Sequence, residues 1–219
     1  MTAAPTVTEI TLADEPERWE ALGFTVASHA VQLGTVRIAL TGRNAGRGVL
    51  GWSLRNLASV ELDGLPTAPS EEPVSHTATT VHINAIAAID HLVAMSPDLD
   101  RSVQALQAAG LDLRRIREQP TPAGAPRQAF FRLGEMILEL VQEPENVVVA
   151  RPNGKHGPAR FWGLALLSDD LERTVERLGE HSSEIRAAIQ PGRRIATVRR
   201  SAGLALPVAL MSRAENSDE

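Results

Sequence analysis

The sequence predicts an α+β fold made of repeated modules, each a strand, a helix and then three strands. Three observations predict it. One set of helix-defining residues recurs at an offset of 72 positions (Ser96 to Ser168), strand-like segments follow each predicted helix, and a looser copy stands at the front of the chain.

The middle copy is the clearest. In residues 86–112, IAAIDHLVAMSPDLDRSVQALQAAGLD, an apolar run ends at Ser96, the expected N-cap, and Pro97 suits the first helical position because its missing N–H costs nothing there. Leu99, Val103 and Leu106 fall on one helical face, and Gly110 is the expected stop. The last copy, FWGLALLSDDLERTVERLGE, repeats this with Ser168, Leu171, Val175 and Leu178, and Gly179 ends the helix.

In the front copy, VTEITLADEPERWEALGFTV, Asp14 takes the cap position, Trp19 and Leu22 supply the apolar face and Gly23 is the stop. Its offset to the middle copy is longer, 82 positions (Asp14 to Ser96), and the stretch DGLPTAPSEEPVSHTATT reads as the linker that accounts for it. Strands are expected in FTVASHAVQ, TVRIALTG and GVLGWSLRN, in LDLRRIRE, RQAFFRLGE and MILELVQEP, and in EIRAAIQ, RRIATVRR and LPVALMSR. The expected organisation is a divergent module at 6–60, a linker at 61–84, the best-preserved module at 85–145, a connecting loop at 146–159, a degenerate module at 160–213 and a disordered tail at 214–219.

A net charge of -5, a pI near 5.7 and 3% aromatic residues without tyrosine argue against a nucleic-acid partner. No apolar run approaches the roughly 18 residues of a membrane span, and MTAAPTVTEI lacks the pattern of a signal peptide. Cysteine is absent, so disulfides and thiolate metal sites are excluded. A cytoplasmic protein with no membrane partner is the expectation.

The order IDHLVAMSPDLDRSVQAL followed by QAFFRLGEMILELVQEP resembles a module of the vicinal-oxygen-chelate superfamily, which includes glyoxalase I, bleomycin-resistance proteins and extradiol dioxygenases. The resemblance is strongest over 86–145, holds for the first strand and helix of 160–212, and is schematic over 6–57. It implies a glyoxalase-like fold, in which paired modules form a curved mixed sheet around a cavity. It also implies metal ligands on the first and fourth strands, at positions held here by His91 and Glu139. Strand alternation is consistent with this, placing Ile89, His91 and Val93 on one face and Ile137, Glu139 and Val141 on another. Such ligands suit a divalent Zn, Ni, Mn or Fe ion.

In the last module the corresponding positions are Gly163 and Ala209, which offer no side-chain donor. Two ligands remain where three are usual. Glu9, placed by the 82-residue offset from His91, is the one residue positioned by the repeat to complete the site, and a second chain in a homodimer is the other route. The plain alternative is that His91 is a cavity histidine without metal and that Glu139 hydrogen-bonds it, forming an acid–base pair.

His29, His76, His82, His156 and His181 show no metal-ligand spacing and are expected at the surface. Trp19 and Trp162 are expected to pack in the core, while Trp52 is left open. Arg114 with Arg115, and Arg193 with Arg194, read as exposed strand charge, and RPNGKHGPAR as a solvated connector. Two functions stay open. One is a protein binding a small organic molecule in its cavity without a metal, with Val93, Ile137 and Val141 lining it and Gly163, Ala165 and Ala209 widening it. The other is a metal-dependent lyase, isomerase or dioxygenase using His91 and Glu139.

Overall fold

In a computed structural model of the chain, residues 3–72, 80–121 and 124–214 are described. His76 and residues 215–219 of the expected tail lie outside them. The chain forms two compact units, one comprising Met1–Thr8, Gly51–Pro73 and His91–Trp162, the other Glu9–Leu50, Val74–Asp90 and Gly163–Glu219. No helix among the described residues is long and apolar enough to cross a membrane.

The middle copy folds as β6 (Ile86–Ser96), α2 (Leu99–Ala108), β7 (Asp112–Arg117), β8 (Gln128–Leu133) and β9 (Met136–Gln142). The last copy gives β10 (Arg160–Ser168), α4 (Leu171–Leu178), β11 (Arg186–Ala187), β12 (Arg194–Thr197) and β13 (Val208–Ser212). These strands form one sheet in the order β11-β12-β13-β10-β6-β9-β8-β7. In each copy the fourth strand runs parallel to the first, as β9 to β6 and β13 to β10, and the others follow antiparallel. The α+β class and the mixed sheet are therefore as the sequence predicts.

Helix starts differ from expectation by two residues. The N-caps are Asp98 and Asp170, whose carboxylates accept from Arg101 N at 3.1 Å and Arg173 N at 2.9 Å. Ser96 and Ser168 are the last strand residues, not caps. A carboxylate placed three residues before a free N–H outcompetes the earlier hydroxyl. Gly110 follows the α2 cap residue Ala109 with φ +93°, as a helix stop requires.

The front copy diverges more. β1 (Thr6–Leu12), α1 (Pro16–Ala21), β2 (Ala30–Leu33), β3 (Val36–Leu40), β4 (Val49–Arg55) and β5 (Thr67–Pro69) form a second sheet in the order β2-β3-β1-β4-β5. Its β3 runs parallel to β1, as a fourth strand does to a first, so β4 lies across β1 instead of closing the module. β5, inside the expected linker, pairs parallel with β4, and Leu62 and Leu65 beside it are buried. Those two leucines bury apolar surface in an otherwise polar, proline-rich stretch. Asp14 is not the cap of α1. It is buried and accepts from Trp19 Nε1 at 3.2 Å and Ala205 N at 2.7 Å.

Trp19 is in the core as expected, and Trp52 is buried edge-on against Phe161. Trp162 is not a core residue; it is 47% exposed. His82 is not a surface residue. It is buried, with Nδ1 accepting from Thr25 N at 3.0 Å and Nε2 lying 2.9 Å from the Gln32 carbonyl.

Candidate functional site

The site is built on the four strands of the middle copy. On one face Leu92, Ala94, Ala129, Phe131, Leu138 and Leu140 are fully buried on the side where α2 packs. Alternation sends their neighbours to the opposite face. The register arranges that face in rows: His91, Ile137, Arg132 and Asp112; then Val93, Glu139, Phe130 and Arg115; then Met95, Val141, Gln128 and Arg117. A bulge between Leu113 and Arg115 makes Arg114 the extra residue and returns Arg115 and Arg117 to this face.

His91 and Glu139, set on a diagonal of neighbouring rows, meet. Nε2 of His91 lies 3.3 Å from Oε2 of Glu139, and the two side chains are 15% and 16% exposed. The other carboxylate oxygen, Oε1, accepts an N–H from Gln128. One oxygen of Glu139 is thus held by an amide and the other faces the imidazole, which fixes the plane of the carboxylate. Beside this polar diagonal, Val93 and Val141 pack with Ala125 and Met95. The loop carrying Ala125 is tied down by Arg127, which donates to Glu118 at 2.7 Å and to Asp100 at 3.0 Å. That hydrogen bond from Arg127 holds Glu118 below the usual carboxylate range.

Glu9, Gly163, Ala165 and Ala209 lie in the second unit. Glu9 is paired with Arg37, its register partner on β3. Ala165 and Ala209 are register partners on β10 and β13. Gly163 abuts backbone: a Cβ there would sit 2.7 Å from the Pro207 carbonyl oxygen. Its smallness answers to that approach.

A family model described as Glyoxalase/Bleomycin resistance protein/Dioxygenase superfamily matches residues 88–202, more than half of the chain. The chain belongs to this superfamily. Two solved structures agree on the fold. A xylose isomerase-like TIM barrel/4-hydroxyphenylpyruvate dioxygenase fusion protein aligns with TM-score 0.60 and 14% identity, covering 100% of this chain and 50% of that one. A mutant of 4-hydroxymandelate synthase from Streptomyces coelicolor aligns with TM-score 0.57 and 12% identity over 95% of this chain and 92% of that one. Methylmalonyl-CoA epimerase from Mycobacterium tuberculosis gives TM-score 0.48 and 20% identity over 64% and 95%. No curated protein sequence matches the chain.

Members of the superfamily often use a divalent metal ion. His91 and Glu139 are two candidate donors, one oxygen of Glu139 accepts an amide N–H, and no group of three or more His, Asp or Glu side chains among the described residues is arranged to hold a metal.

Sequence reasoning missed Gln128, Phe130, Arg115 and Arg117 as parts of this face. The alternation of RQAFFRLGE does place Gln128, Phe130 and Arg132 together, but the bulge that aligns β7 with them leaves no local sequence signal.

Proposed function

We propose that this member of the superfamily binds a small organic molecule on the face carrying His91 and Glu139, without a resident metal, and that the two residues act there as an acid–base pair. The observation that carries this is the 3.3 Å contact between His91 Nε2 and Glu139 Oε2, two largely buried side chains on one sheet face. An imidazole and a carboxylate in contact offer a proton donor and a proton acceptor side by side. The suited chemistry is proton transfer at a carbon next to a carbonyl: one group takes the proton from carbon and the other returns one to carbon or to the enolate oxygen. Gln128 orients the carboxylate for this. In the same proposal the protein is a cytoplasmic homodimer whose partner is a small molecule, not nucleic acid or a membrane.

Metal analysis of protein purified without chelating resin, then after loading with Zn, Ni, Mn and Fe, tests the reading. Substoichiometric metal, unaffected by His91→Ala, is expected. Near-stoichiometric metal that is lost in His91→Ala overturns it in favour of a metal-dependent lyase, isomerase or dioxygenase. Light scattering tests the dimer, and a strict monomer refutes it.

A further inference from the structure

We infer that the ligand of this face is an organic anion, a carboxylate or phosphate monoester, held by Arg115 and Arg117 across the ring of Phe130. The inference rests on the site proposed above and adds the class of its ligand.

Arg115, Arg117 and Arg132 share the face of His91 and Glu139 by register. Among the described residues none of the three has an ion-pair partner. In the same unit Arg101, Arg114, Arg127, Arg151 and Arg160 have carboxylate partners, and Arg55 on β4, like these three, has none among the described residues. Two acidic groups stand on the face with the three arginines. Asp112 is neutralised by Arg114 at 3.1 Å, and Glu139 is engaged by His91 and Gln128. The β7 side of the face therefore carries uncompensated positive charge.

The guanidinium carbon of Arg115 lies 4.7 Å from the centroid of the Phe130 ring. That stacking pre-orders its planar fork, which matches a carboxylate or phosphate with two parallel N–H donors. It also draws the guanidinium over β8, the strand next to Glu139, since Phe130 and Glu139 are register partners. One strand spacing is about 5 Å, so an anion held there places a carbon a few bonds away beside the His91–Glu139 pair. Gln128 is 7% exposed, and its carbonyl oxygen is buried without a donor. A buried acceptor left open is costly.

The test is titration of the full chain with benzoate, phenyl phosphate and benzamide, followed by amide and arginine Nε–H resonances. Benzoate or phenyl phosphate is expected to shift Arg115, Phe130 and His91, with benzamide at least tenfold weaker, and the stronger anion identifies carboxylate or phosphate recognition. Arg115→Gln with Arg117→Gln is expected to weaken the anion at least tenfold while leaving the thermal midpoint unchanged. Equal binding of benzamide and benzoate at these residues overturns the anion inference and leaves the site standing. Anion binding that survives the double substitution overturns it as well. No shift on this face with any of the three probes counts against both.

Discussion

Ser96 and Ser168, equivalent residues of two repeats, make the same bonds. Each hydroxyl receives the N–H of the following cap aspartate at 3.1 Å, and each meets a helix hydroxyl six residues on, Ser102 at 2.6 Å and Thr174 at 2.7 Å. The two caps therefore have the same construction. Asp98→Ala and Asp170→Ala are each expected to cost about 1 kcal/mol in urea unfolding. The cap pairs share no partners, so the double substitution is expected to cost roughly the sum.

Glu143 is fully buried and accepts from Arg151 at 2.7 Å and Arg160 at 2.8 Å through one oxygen. The expected solvated connector thus supplies the two cations that allow a carboxylate to be buried. Removing both arginines strands that charge and is expected to cost about 3–5 kcal/mol. Glu143→Leu is expected to cost less, because the arginines left behind still reach solvent. A larger loss in Glu143→Leu would refute this asymmetry.

Gly163 has no room for a side chain beside Pro207. Gly163→Ala is expected to lower stability by about 1–3 kcal/mol, as overpacking does. A neutral Gly163→Ala, by urea or thermal unfolding, would show that the approach relaxes without cost.

Burial holds the His82 pKa below its ordinary 6.5, because the desolvated ring resists charge. The unfolded chain then binds the extra proton more readily than the folded one. His82's contribution to stability is complete above about pH 6.5 and is lost as pH falls towards the folded value. The thermal midpoint is expected to drop between pH 7 and pH 5, and His82→Gln to flatten that slope.

Much of the fold is legible in the sequence because helix faces and strand alternation are local. Leu99, Val103 and Leu106, and their counterparts Leu171, Val175 and Leu178, show the repeat directly. The candidate site is half legible. His91 and Glu139 stand out as polar residues set in apolar strands, yet their contact depends on the register of β6 against β9. Cap positions, the burial of His82 and the exposure of Trp162 were misread because each depends on neighbours distant in sequence.

The sequence by itself determined the α+β repeat, the helices and strands of its two clearer copies, and the lack of side-chain donors at Gly163 and Ala209. Tertiary structure alone decided that β4 crosses to the far side of β1, that Glu9 goes to Arg37, and that Arg115 and Arg117 join His91 and Glu139 on one face. The physical reason is that periodicity along one strand tells which residues share a side. Which strands lie together, and in what register, is set by hydrogen bonding and packing between segments far apart in the chain.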